Sequence, residues 1–415
     1  MSAILNPKRA VSDMKTLRGL TSDEQGNQRV AFTPTWLKAL DFLKGRLDEI
    51  GVPYRRDAAG NIWATLEGDR PEFLAIGGHL DSVPNGGWLD GSWNVMAGLE
   101  VLRYLKAKGK PPVTIKLVNW CDEEGARFGR SLFGSSAFSG HFKVEELRAL
   151  RDRDGIALVD ALENVGLKLE DAPKASAERK GCLAYLELHI EQGPVLEEKG
   201  YPLGVVLGTV GCERNLITFH GLAAHSGSTP MHVRKDAFRA AGLMAQEIYR
   251  IADQYKGVCT IGSCVTKPGI VTSVVEDCTI ALDQRQLDAE LLAKMWVDAQ
   301  STAKKIARQL DVDVAFSGLW RIEPILFHRE LQDFCDEAIK AAAGKSMRLP
   351  SGPLHDAAEV CRAGVPTQMI FVQSLRGISH NKIEDTKEEH LELSVQALAN
   401  LADKTIPWAA SRARR

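Results

Sequence analysis

The chain lacks any apolar run approaching the roughly 20 residues needed to cross a bilayer. It also lacks a basic excess. Its 52 Lys and Arg stand against 54 Asp and Glu, a net charge of -2, so nothing is set aside to hold a phosphate backbone and nucleic acid is not an expected partner. An apolar signal core is missing, since Met1 to Lys15 is mixed polar and charged. Cysteine is present, eight residues in all, but none form CxxC, and Cys259 and Cys264 are the closest pair. Such scattered thiols read as reduced, mostly buried residues of a cytoplasmic protein. Repeats, low-complexity runs and disordered linkers are absent as well.

What is present is an ordinary globular balance, 44% hydrophobic and 26% charged, over 415 residues. That length exceeds what one core usually supports, so two domains are expected. Thr33-Pro34 opens a helix as cap and first residue, and Trp36, Leu40, Leu43, Leu47 and Ile50 continue it to Gly51. Short apolar strands are expected at Phe73 to Gly78, Val113 to Trp120, Tyr185 to Ile190 and Met369 to Val372. Helical stretches lie between them, such as Leu99 to Lys108. This alternation predicts an α/β sheet flanked by helices. From Glu213 to about Trp320 the pattern changes. Strands at Asn215 to His220 and Gly269 to Leu282, with helices at Lys235 to Tyr255 and Glu290 to Leu310, predict a small inserted α+β domain. The expected division is 1–212, 213–324 and 325–415, with the first and last pieces forming one domain.

Chemistry-bearing residues follow the strands. His79-Leu80-Asp81 follows the first and Cys121-Asp122-Glu123-Glu124-Gly125 the second. The third contains Glu187-Leu188-His189-Ile190-Glu191-Gln192-Gly193, and Gly377-Ile378-Ser379-His380 comes after the fourth. In an open α/β sheet the carboxyl ends of strands share a rim where ligands bind. Imidazole and carboxylate suit Zn²⁺ and similar divalent ions. A ligating His usually gives its other N–H to a carboxylate, which is the logic of His79-x-Asp81. Asp90, in Leu89-Asp90-Gly91, could bridge two ions. Of the adjacent Glu123 and Glu124, one can ligate while the other serves as general base. Each motif alone is commonplace, Asp90-Gly91 being most often a turn; their joint occurrence at strand ends carries the argument.

The run Gly78-His79-Leu80-Asp81-Ser82-Val83-Pro84-Asn85-Gly86-Gly87 with Asp90-Gly91 resembles the M20-type metallohydrolases, within them the N-carbamoyl-L-amino-acid hydrolase, β-ureidopropionase and allantoate amidohydrolase group. Asp122 to Phe128, Glu187 to Pro194, Ala224 to Met231, Asp283-Gln284-Arg285, His355-Asp356-Ala357 and Gly377 to His380 agree, so the resemblance spans nearly the whole chain. It implies a catalytic domain with two divalent ions (zinc, or manganese, cobalt or nickel) and a smaller lid domain that forms a homodimer. It implies His79, Asp90, Glu124, His189 and His380 as metal ligands, Asp90 bridging, and Glu123 as general base. His225 on the lid would stabilise the oxyanion in the neighbouring subunit's site. Gln192, Arg285 and His355 would hold a small carboxylated amide.

Some positions depart from that pattern. Thr272 replaces the family's usual substrate-contacting Asn, and Gly352-Pro353-Leu354 precedes His355 where Gly-Ala-Gly is common. Trp93 follows the aspartate where small residues are usual, and Trp88 stands just before it. Metal and base positions are intact while substrate contacts have changed, so hydrolysis is expected with specificity moved. Trp88 and Trp93 could line an aromatic pocket or simply pack under the loop. The expected substrate is an N-carbamoyl amino acid, with an N-acyl or aryl-acyl conjugate as the rival.

Overall fold

A computed structural model describes residues 4–413. The chain divides into two compact units, one ending at Gly208 and resuming at Phe327, the other spanning Thr209–Leu326.

The first unit is built on a mixed sheet. Four strands at its centre run parallel in the order Thr367–Val372, Cys182–Ile190, Phe73–His79, Thr114–Trp120. Ile62–Leu66 and Leu203–Thr209 flank them antiparallel. Side chains alternate across the pleat. Leu74, Ile76, Ile115, Leu117, Leu186 and Leu188 enter one core, with Trp36 and Trp93 and the helices Pro7–Thr21, Ser92–Lys108 and Glu388–Arg412. Phe73, Ala75, Val118, Trp120 and Tyr185 enter a second core with Phe138 and Val360. Covered on both faces, these strands carry little polar alternation, as buried parallel strands do. Their carboxyl ends share one edge, since His79 is opposite Trp120 and His189 opposite Phe371.

The helix Pro34–Glu49 is capped by Thr33, whose hydroxyl accepts the Trp36 N–H. The helix expected at Leu99 begins seven residues earlier, at Ser92. Gly91 makes this early start possible, because its φ of 61° lies in the left-handed region and a Cβ there would fall 2.2 Å from the His79 ring.

The second unit is a four-stranded antiparallel sheet ordered Val258–Lys267, Asp277–Gln286, Gly211–His220, Asp313–Ile322. The amphipathic helices Ala237–Tyr255 and Ala289–Leu310 share its core. The strand expected over Gly269 to Leu282 begins only at Asp277, because Gly269 to Glu276 is a turn and loop. No described helix is long and apolar enough to cross a membrane.

Candidate metal centre

At the shared strand edge the imidazoles of His79 and His189 are set by the same device. The Nδ1 of each lies against a backbone carbonyl, that of Asp81 (3.1 Å) for His79 and that of Ile190 (2.8 Å) for His189. A Nδ1–H held on a carbonyl presents Nε2 as the metal-facing atom. Both Nε2 atoms face Asp90 Oδ1, at 3.8 Å from His79 and 3.1 Å from His189. Asp81 stands beside His79 with both of its oxygen types: Nδ1 is 3.1 Å from the Asp81 carbonyl and 3.7 Å from its carboxylate. The carboxylate also accepts the backbone N–H groups of Glu123 (3.3 Å) and Glu124 (3.1 Å).

The other Asp90 oxygen faces a second set. His380 Nε2 lies 3.2 Å from Asp90 Oδ2 and 3.4 Å from Glu124 Oε2. Two donor groups of suitable spacing result, His79–Asp90–His189 and Asp90–Glu124–His380, joined at Asp90. Burial opposes ionisation of Asp90, yet hydrogen bonds from His189 and His380, with the charges of His189 and His79, hold its carboxyl well below the usual range. Burial would lower His189, but Asp90 raises it to about 9. Glu123, whose Oε2 is 3.8 Å from His79 Nε2, is pushed well above the usual carboxylate range by burial and then by the charges of Asp356 and Glu124. Glu124 is pushed up as well, by burial and by Asp90.

These residues suit divalent cations. His79 Nε2 and Glu124 Oε1 are buried atoms without a hydrogen-bond partner, and buried polar atoms seldom go unpaired. The buried guanidinium of Arg29, nearby, donates to the Leu80 carbonyl and to Asn27, Thr21 and Ser92 rather than to the carboxylates. Neutral imidazole nitrogens and carboxylate oxygens are the donor set of zinc and its neighbours.

A cavity of about 230 Å³ opens on this cluster, lined by Asp90, Glu123, Glu124, His189, Gln192, His355 and His380 together with Ser131, Leu132, Pro353 and Leu354. Gln192 Nε2 donates to Asp90 Oδ2 (2.9 Å), and His355 is held by Ser351 (2.9 Å) with its ring 4.4 Å from that of His189. Trp93 is not part of this cavity, which corrects the aromatic-pocket expectation. It is fully buried and its indole N–H donates to Ser394 (3.0 Å). Trp88 lines a separate cleft beside Arg18.

The remaining candidates belong to the second unit. His225 is exposed, and its Nδ1 accepts the N–H groups of Gly227 (3.1 Å) and Ser228 (3.2 Å). Arg285 is paired with Asp283 (2.9 Å), which Arg214 shares. Thr272 sits in an exposed turn, where its carbonyl accepts the Ser226 N–H (2.9 Å). Sequence reading missed Ser379 and Glu384, whose bonds to the Asp90 segment appear only in three dimensions.

Residues 75–404 match the family model of peptidase family M20/M25/M40. The chain belongs to this family. It is 35% identical over 382 residues to the N-carbamoyl-L-amino acid amidohydrolase of Geobacillus stearothermophilus, covering 90% of this chain and 92% of that one. It is 32% identical over 379 residues to the allantoate amidohydrolase of Escherichia coli K12, at the same coverages of 90% and 92%. Among solved structures, a hydantoinase/carbamoylase family amidase from Burkholderia ambifaria superposes with a TM-score of 0.86 at 31% identity, covering 96% of each chain. This M20 protein is therefore an amidohydrolase of the hydantoinase/carbamoylase group, acting on C–N bonds, and M20 enzymes are metal-dependent.

Proposed function

We propose that the protein hydrolyses the carbamoyl amide of N-carbamoyl-L-amino acids with two divalent ions, zinc first among them and manganese, cobalt or nickel as alternatives. The observation that carries this reading is Asp90, whose two oxygens each face a separate group of donors while Glu123 stands beside them. His79, Asp90 and His189 would hold one ion and Asp90, Glu124 and His380 the other. When bound, the pair polarises the scissile carbonyl and makes the attacking water more acidic.

This chain's residues supply the rest. Glu123 accepts the proton of the attacking water and delivers it to the leaving nitrogen, so the bond to the carbamoyl carbon breaks with a neutral amine leaving. The carbamic acid then separates into ammonia and carbon dioxide. His225 donates to the oxygen on which charge develops. A ring nitrogen that accepts two N–H groups carries no proton, so the His225 proton resides on Nε2, the outward donor. Arg285 binds the substrate carboxylate through its fork, steadied by Asp283. Gln192, His355 and Thr272 hold the substrate, and the second unit pairs two subunits into a homodimer in which His225 serves the neighbour's site.

A second reading, an N-acyl amino acid substrate, is favoured by Leu132, Pro353 and Leu354 in the cavity wall, where an apolar cap would rest. Screening carbamoyl, formyl, acetyl and aryl-acetyl amino acids against the metal-loaded protein tests both. Ammonia release marks the first reading and a free carboxylic acid the second; no turnover of any of them removes both.

A further inference from the structure

We infer that Glu384 is a positioning residue for the metal pair, fixing Asp90 and His380 at the spacing one ion requires. The inference rests on the reading of those two residues as ligands. Glu384 is almost fully buried. Its Oε1 accepts the backbone N–H of Leu89 (3.0 Å) and of Asp90 (3.1 Å), and its Oε2 accepts the Ser379 hydroxyl (2.9 Å). The same hydroxyl lies 3.0 Å from Asp90 Oδ2, so its single proton is shared between the two carboxylates. One carboxylate thus grips Asp90 by its backbone and, through Ser379, by its side chain.

The surroundings are shaped for that grip. Glu384 closes a turn on the Asn381 carbonyl (2.9 Å), which places it on the same loop as His380. Across from it, a Cβ on Gly87 would fall 2.1 Å from the carboxyl group, so only glycine lets the Asp90 loop come this close. Two segments nearly three hundred residues apart in sequence are tied at the point where each supplies a ligand. A carboxylate taken out of water is costly unless it is hydrogen-bonded, and two backbone N–H groups with the shared Ser379 proton serve this one. Groups that hold ligands in this way typically change metal affinity about 10–100-fold when removed.

The test uses the full-length protein stripped of metal and titrated with Zn²⁺ against a chromophoric competing chelator. Wild type is expected to bind two equivalents. Glu384→Ala should weaken one of the two by about 10–100-fold. Glu384→Gln keeps an oxygen for the two amides and can donate to the Ser379 oxygen, so it should restore most of the loss. Ser379→Ala keeps the backbone grip but cuts the side-chain link, and should also weaken one equivalent; it carries the test should Glu384→Ala not fold. In the Co²⁺-substituted protein the visible absorption of one site should change in Glu384→Ala. A residue that merely supports the fold would lower the melting temperature of the metal-free protein and leave zinc affinity as it was. Two undiminished zinc equivalents in Glu384→Ala, or in Ser379→Ala where Glu384→Ala does not fold, overturn this inference and leave the metal centre standing. A wild-type protein that binds no zinc overturns the metal centre and the inference with it.

Discussion

Asp81 holds Glu124 by its backbone: the Glu124 N–H donates to one carboxylate oxygen of Asp81 at 3.1 Å, while the neighbouring Glu123 N–H donates to the other at 3.3 Å. One buried side chain therefore sets two adjacent carboxylates that are assigned different tasks. Asp81→Asn turns one acceptor into a donor facing an N–H group. It should lower kcat or zinc affinity by about 10–100-fold. Steady-state kinetics with metal analysis of the purified variant would check this, and wild-type values in both would refute the role.

The two glutamates should separate by measurement. Glu123→Gln should keep its metal and lose about 10²–10⁴-fold in kcat, the usual contribution of a general base. Glu124→Gln should instead lose metal. Chelation of wild type should abolish turnover, with Zn²⁺, Mn²⁺ or Co²⁺ restoring it. Full turnover in metal-free protein contradicts the scheme, and equal metal loss in both variants with turnover retained in Glu123→Gln reverses the assignment.

His225→Ala should cost about 10²–10³-fold in kcat, as loss of one oxyanion donor does. Mixing His225→Ala with Glu123→Gln protein should restore one site per mixed dimer. Mass spectrometry would verify subunit exchange; exchange without recovered turnover means His225 does not serve a neighbour.

Arg285→Lys should raise KM strongly, and Arg285→Ala should raise it further. Amidating the substrate carboxylate should cost wild type a similar amount and the alanine variant little more, since both changes delete one contact. Thr272→Asn should alter preference between capping groups and leave carboxylate dependence in place. Equal turnover of acid and amide by wild type would point to a general amidase.

Trp93→Ala should cost about 3–5 kcal/mol of stability, as loss of a fully buried aromatic does. Trp93→Phe should cost less, and its ratio of rates between carbamoyl and aryl-acetyl substrates should match wild type. Thermal unfolding and a two-substrate assay check both statements; a changed ratio would return Trp93 to the substrate pocket.

The parallel strands were legible in the sequence because burial on both faces makes them short, nearly continuous apolar runs ending in polar residues, as in Phe73–His79. The strands Val258–Lys267 and Asp313–Ile322 were not, because they are sheet edges whose residues are mostly exposed, with inward alternation confined to Cys259 and Ile261 in one and Val314 and Phe316 in the other. Trp93 was left open between pocket and packing because its place in sequence, three residues after Asp90, says nothing about which side of a helix it occupies. Glu384 could not be read at all. Its only local signal is an acid four residues after His380, and its partner segment is remote in the chain.

The second unit interrupts the first between residues 208 and 327, and this has a consequence for the order in which the centre matures. His79, Asp90 and His189 precede the interruption, whereas His380 follows it. A chain emerging from the ribosome presents every donor of one group before the second unit is made. The other group must wait for nearly the whole chain, and so must Thr367–Val372, the strand that pairs beside His189. Pairing across so long an excursion carries the loop-closure cost that slows non-local contacts. The two donor groups joined at Asp90 are thus finished at different moments of synthesis, with Asp90 waiting on the later arrival.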